Sequence, residues 1–378
     1  MKILLAPDSF KGTISSIDAI NYLEDAAKRH FSDLEIVRVP IADGGEGTVD
    51  AIIEATGGEY RYLDVTGPIG KKVKAKYGII NGRIAVIEMA QASGLPLLKP
   101  EERNPMITTT YGTGELIKAT LDEGIRDIFI GIGGSATNDG GIGAMQALGV
   151  EFLDENGRNV GFGGGVLSNI ERISTLNLDP RIKECRITVI CDVSNPLTGE
   201  RGATAVYGPQ KGASADMLDQ LEKGMVHYAG LVKRQFGLDF DQIPGAGAAG
   251  GLGAALVGFL GAVLKPGIET ILDLVDFDRL LEGVDLVVTG EGRIDGQTAY
   301  GKVPVGIARR CMKIGVKVVA ITGCMGEGAQ KVYECGIESI MTTINRDMTL
   351  EYALDNAEKL FRDAADRMFR FIKVGMEI

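Results

Sequence analysis

Lys2-Ile-Leu-Leu-Ala6-Pro-Asp8-Ser-Phe-Lys11-Gly-Thr13 carries a short apolar run straight into a polar, glycine-bearing loop. The run reads as a buried strand and the loop as its exit at a sheet edge. Ser15 or Ser16 then caps a helix to about His30, in which Ile17, Ile20, Leu23 and Ala27 share one face. A second strand, over residues 35–40, leads into Ala42-Asp-Gly-Gly-Glu-Gly-Thr48 and a second helix. Parallel strands can be joined only through a crossover, so this βαβα alternation predicts a parallel sheet.

Beyond residue 60 the pattern changes. Residues 61–65, 72–79 and 83–88 alternate apolar and polar side chains, and Asn81-Gly82 is a hairpin signal between two of these runs. Antiparallel or mixed sheet is expected there, with a domain change near residue 65. Helix-strand alternation returns with a helix over 113–123, an apolar strand over 127–132 and a later buried strand over 186–191. In the last third, strands over 285–289, 316–322 and 339–343 alternate with helices over 304–314 and 329–335. A long helix over about 350–372 closes the chain. The expected fold class is α/β: a Rossmann-like parallel-sheet domain formed by both chain ends (residues 1–65 plus 270–378), with a second α/β domain of mixed sheet (66–269) inserted.

The formal net charge of -11 would repel a nucleic-acid backbone, and no basic run offsets it, so no nucleic-acid partner is expected. Cys185, Cys191, Cys311, Cys324 and Cys335 form no C-x-x-C pair, which predicts reduced thiols in a cytoplasmic protein. His30 and His227 lie away from any cysteine pattern and outside the glycine-rich blocks, which sets aside a zinc site and a Ser-His-Asp arrangement. Residues 245–264 lack charge over the length of a membrane span. They are mostly Gly and Ala, however, and the large apolar side chains from Leu252 to Leu264 form one helical stripe. A buried helix behind a glycine loop is expected, with no membrane partner. A monomer or homodimer acting on a small molecule fits these totals.

Glycine is the outlier at 53 residues, roughly twice its average share. Six blocks concentrate it, all but the Gly/Ala-rich 244–253 beside acids, Ser, Thr or Asn: residues 6–13, 41–48, 131–141, 191–199, 244–253 and 289–298. Each follows an apolar strand, where open α/β sheets bind ligands. Glycine lets successive N–H groups face phosphate oxygens, and carboxylates hold Mg²⁺. Any single block can equally be a tight turn with a capping Asp; six of them point to function.

Two motif look-alikes remain. Gly131-x-Gly133-x-x-Ala136 has the form of a dinucleotide fingerprint, which would make the chain an NAD(P)-dependent oxidoreductase. Asn138-Asp139-Gly140-Gly141, however, stands where a helix should be running. Gly296-x-x-x-x-Gly301-Lys302 is short of a P-loop, because Val303 replaces its Ser/Thr, though Lys302 at a helix start can still neutralise phosphate.

These blocks in this order, with Tyr207-Gly-Pro-Gln-Lys211-Gly-Ala213 and Gly301-Lys302, resemble the first bacterial glycerate kinase family, similar to the enzymes of glycolate and galactarate breakdown. Tyr207 stands where that family leads one to expect Phe. The resemblance covers nearly the whole chain. It implies ATP and Mg²⁺ as cofactors, D-glycerate as substrate and 2-phosphoglycerate in preference to 3-phosphoglycerate as product. It also implies a Rossmann-like domain carrying a second α/β domain.

On that basis Lys11, with Asp8, Ser9, Asp43 and Arg293, is a candidate for holding glycerate. Asp192 or Asp295 would orient or deprotonate its hydroxyl. Acids among Asp43, Glu46, Asp139 and Glu291 would hold Mg²⁺. Gly133, Gly134, Ser135 and Asn138, together with Gly290 and Gly292, would wrap the ATP phosphates. Lys211 and Lys302 would neutralise charge at the transferred group.

Overall fold

The computed structural model describes residues 1–10, 12–42 and 44–376. Lys11 and Asp43, both expected at the site, lie outside the described residues. The strands in chain order are β1 (Lys2–Pro7), β2 (Glu35–Arg38), β3 (Glu59–Thr66), β4 (Lys72–Ile80), β5 (Ile84–Glu88), β6 (Asp127–Gly131), β7 (Glu151–Leu153), β8 (Arg172–Ser174), β9 (Arg186–Ile190), β10 (Val263–Lys265), β11 (Leu286–Ile294), β12 (Lys317–Met325) and β13 (Ile337–Thr342). They divide between two compact units: residues 1–43, 50–57 and 267–378 in the first, residues 44–49 and 58–266 in the second.

The first unit is a five-stranded sheet in the order β13-β12-β11-β1-β2, parallel throughout. Both chain ends build it, as a Rossmann-like layer. Ile3 and Leu5 of β1 pack with Ile20 and Leu23 of the first helix, Ser16–His30, and with Phe361, Met368 and Phe369 of the last, Ala357–Met376. Leu4 and Ala6 are buried outside that cluster, so β1 is covered on both faces, as a parallel strand requires. Ser15 caps the first helix by accepting from the Asp18 N–H. His30 closes it against Asp366, Nε2 to Oδ1 at 2.9 Å.

The second unit holds a six-stranded sheet in the order β10-β9-β6-β5-β4-β3. Its β10, β9, β6 and β5 are parallel, while β4 and β3 run antiparallel at one end, which makes the sheet mixed. Asn81 and Gly82 both take positive φ, 51° and 65°, in the turn between paired Ile80 and Ile84, where the Arg83 N–H donates to the Ile80 carbonyl at 3.0 Å. β3 pairs with β4 along its whole length, and after the short segment 44–49 the chain returns to this unit at residue 58, ahead of β3, where the sequence placed the change near residue 65. A small hairpin of β7 and β8, three residues each, carries no periodic signal in the sequence. The uncharged stretch forms a turn and then the nine-residue helix Leu252–Leu260, mostly buried. Among the described residues no helix is long and apolar enough to cross a membrane. The expected C-terminal helix breaks at Asn356 into Leu350–Asp355 and Ala357–Met376.

Candidate active site

In the second unit the parallel strands end in register. Glu88 of β5 is the Cα partner of Gly131 of β6, which pairs with Ile190 of β9, which pairs with Lys265 of β10. This carboxyl edge is where α/β sheets bind ligands. The glycine block after residue 43 lies on it, since Gly133 N–H donates to the Gly44 carbonyl at 3.3 Å. Glu46 is exposed beside it. Glu88 is 1 % exposed, and its Oε2 accepts from the Val49 N–H at 3.4 Å, at the start of the helix Thr48–Thr56. Sequence reading missed Glu88: no glycine flags it, and its one signal is a carboxylate closing an otherwise apolar strand. Asp192 follows β9 and is exposed.

The 131–141 block is mostly interior. Asp139 is fully buried: Oδ2 accepts from Thr110 N–H (2.8 Å), Thr110 Oγ1 (2.9 Å) and Gly143 N–H (3.4 Å), and Oδ1 from Gly141 N–H (3.0 Å). Burial raises its pKa, and these donors work against the rise. Asn138, expected at ATP, is buried and donates from Nδ2 to Thr204 Oγ1 at 3.0 Å. Lys211, expected at a phosphate, is 1 % exposed, and its Nζ donates to the Thr137 carbonyl at 2.6 Å. Burial pushes its pKa down to about 7, against the attraction of Asp139.

The 244–253 block packs onto this loop. Gly140 N–H donates to the Gly250 carbonyl at 2.9 Å, and a β-carbon at Gly250, whose φ is +66°, would overlap the Thr137 carbonyl oxygen. Only Gly133, Gly134 and Ser135 reach the surface of the loop, Gly134 being exposed and Ser135 just buried. The next helix of the chain starts at Ile142, well beyond the Gly-x-Gly, so it does not open at Gly133 as the fingerprint's helix would. That removes the geometry a dinucleotide site needs.

In the first unit β1 and β11 end together. Asp8 N–H donates to the Gly290 carbonyl at 2.8 Å, and Asp8 Oδ1 accepts from Ser9 N–H at 2.7 Å. The expected loop at Gly290 and Gly292 is strand instead, because β11 continues to Ile294 in parallel register with β12. A β-carbon at Gly290 would overlap the Ile321 carbonyl, so this glycine admits the close approach of β12.

Beyond the strand a charged cluster forms. Glu291 Oε1 accepts from Thr298 Oγ1 at 2.7 Å, and its Oε2 from Lys302 Nζ at 3.3 Å. Burial raises the Glu291 pKa, opposed by Thr298 and Lys302. Lys302 is half-exposed and is the N-cap of the helix Val303–Ile314. Asp295 Oδ1 accepts from Gln297 N–H at 2.9 Å, and its Oδ2 lies 3.3 Å from Arg293 Nε.

Among the described residues no three His, Cys, Asp or Glu side chains gather as a metal-binding group. His227 Nε2 contacts the Ile170 carbonyl at 2.7 Å and serves the fold. The five cysteines are unbridged.

Comparison with known proteins places this geometry. The model of the glycerate kinase family matches residues 3–373. A glycerate kinase of Halalkalibacterium halodurans is 48% identical over 364 residues, covering 96% of each chain. A glycerate 2-kinase of Escherichia coli K12 is 46% identical over 377 residues, 100% of this chain and 99% of that one. The crystal structure of a Salmonella typhimurium LT2 protein assigned as glycerate kinase 2 superposes with a TM-score of 0.87 at 44% identity, covering 100% of both chains. An enzyme of the kinase class, built on this two-part α/β plan, the chain belongs to the glycerate kinase family.

Proposed function

We propose that the chain transfers the γ-phosphoryl group of ATP to the 2-hydroxyl of D-glycerate with the help of Mg²⁺. The observation that carries this reading is the 46% identity to a glycerate 2-kinase across the full chain, a span that includes every glycine-acid block. The oxygen–phosphorus bond to glycerate forms as the bond to ADP breaks, and the hydroxyl proton passes to a carboxylate. Such transfer depends on positioning and charge neutralisation more than on covalent catalysis.

Asp192 is the candidate for that carboxylate, because it is exposed just beyond β9 at the carboxyl edge of the second sheet. Gly133, Gly134 and Ser135 suit phosphate contact at the carboxyl edge. Lys302 suits the developing charge, and Lys11, with Asp8 and Ser9, the glycerate carboxylate. Mg²⁺ takes one or two carboxylates and keeps the rest of its shell for water and phosphate. Glu46 and Glu291 retain acceptor capacity for it, while Asp139 has four internal donors on its two oxygens. When bound, the ion would neutralise charge on the phosphate oxygens.

Purified protein with ATP, Mg²⁺ and D-glycerate should release ADP only when all three are present. ADP release indifferent to glycerate would overturn the reading.

A further inference from the structure

Lys211 is an expensive residue to keep where it is. Taking an ammonium out of water costs several kcal/mol even after relaxation, and this one is 1 % exposed. Its Nζ is spent on one protein acceptor, the Thr137 carbonyl at 2.6 Å, two residues after Ser135. Asp139, two residues further on, is the charge that attracts it. On the other side the Gly250 turn presses on the same carbonyl, where no β-carbon fits. The segment 137–139 is thus gripped by the lysine amine, by a four-donor carboxylate and by glycine backbone, while 133–135 emerges at the surface.

We propose that Lys211 is a positioning residue that fixes the Gly133–Ser135 loop for ATP from beneath, without touching the nucleotide. The Nζ bond to the Thr137 carbonyl sets where the preceding N–H groups point, and a side chain that cannot donate there leaves the loop free to settle elsewhere. Among the described residues Asp139 is the charge that acts on Lys211; the fully buried Tyr228 packs on Gly140, and the Arg103 backbone abuts Gly212. This inference rests on the phosphate role proposed for the loop.

The test is steady-state kinetics of Lys211→Met and Lys211→Gln, with folding checked by near-UV circular dichroism. The expected result is a KM for ATP raised about tenfold or more with the KM for glycerate within about twofold, the signature of lost binding on one substrate. Lys211→Gln, neutral but able to donate, should fall between wild type and Lys211→Met. If Lys211→Met does not fold, Lys211→Gln alone carries the test. An unchanged KM for ATP, or equal rises for both substrates, in a folded variant overturns the positioning role. A wild-type enzyme that does not use ATP instead overturns the reading beneath it.

Discussion

Two glycine-rich regions of similar composition do different work. In the second unit, blocks 131–141 and 244–253 pack against each other. Their glycines bring backbone onto backbone, and their acid, Asp139, is buried and fully bonded inward. In the first unit, block 289–302 begins as strand and ends in an ionic cluster of Glu291, Arg293, Asp295 and Lys302, part of it open to solvent. Gly plus Asp marks close approach in both cases. What approaches is the protein itself in one and, on the proposed reading, a charged ligand in the other.

The sharpest way to break this contrast is a pair of Gly→Ala changes. Gly250→Ala puts a β-carbon on a left-handed residue pressed against Thr137, and strain plus overpacking should cost of order 3 kcal/mol or more. At Gly296 the nearest heavy atom is 3.4 Å from the added carbon and φ is not positive, so Gly296→Ala should stay within about 0.5 kcal/mol. Chemical denaturation measures both. Equal stabilities would mean that the buried block is not the rigid one.

Next in size is catalysis. Asp192→Asn should lower kcat by about 10²-fold or more if it accepts the hydroxyl proton, whereas Asp295→Asn, which loosens a turn, should lower it less. The reverse order would move the base to the first unit.

A third test is a pH dependence. The Lys211 pKa falls to about 7 on folding, from an unfolded value near about 10.4. Between these values the unfolded chain binds more protons, so stability rises with pH across the window, and below about 7 the lysine costs its full amount. The melting temperature of wild type relative to that of Lys211→Met should therefore rise as pH goes from 7 towards 10. A constant difference would place the lysine's pKa outside that window.

Much of the fold was legible because its signals are local. Asn81-Gly82 specifies its turn, Ser15 its cap, and the apolar runs their strands. β11 was read too short, since Gly290, Glu291, Gly292 and Arg293 carry little strand propensity. Pairing with β12 overrides that weak preference. The break at Asn356 was hidden because helical periodicity continues on both sides of it. At the carboxyl edge of the second sheet, the half-buried Gly133 and the exposed Gly134 and Asp192 stand just past strand ends, the positions their blocks indicate. The burial of Lys211 and Asp139 was not legible. A glycine-flanked charge reads as a ligand contact, and only long-range packing by the 244–253 block turns it inward. Glu88 was missed for the complementary reason: its neighbours are ordinary strand residues.

The proposed activity is tested most directly by its product. D-Glycerate and ATP are incubated with the enzyme and Mg²⁺, and the product is passed to enolase with no phosphoglycerate mutase present. Phosphorylation at the 2-hydroxyl predicts immediate phosphoenolpyruvate. A signal that appears only after mutase is added would assign the 3-hydroxyl and contradict the reading.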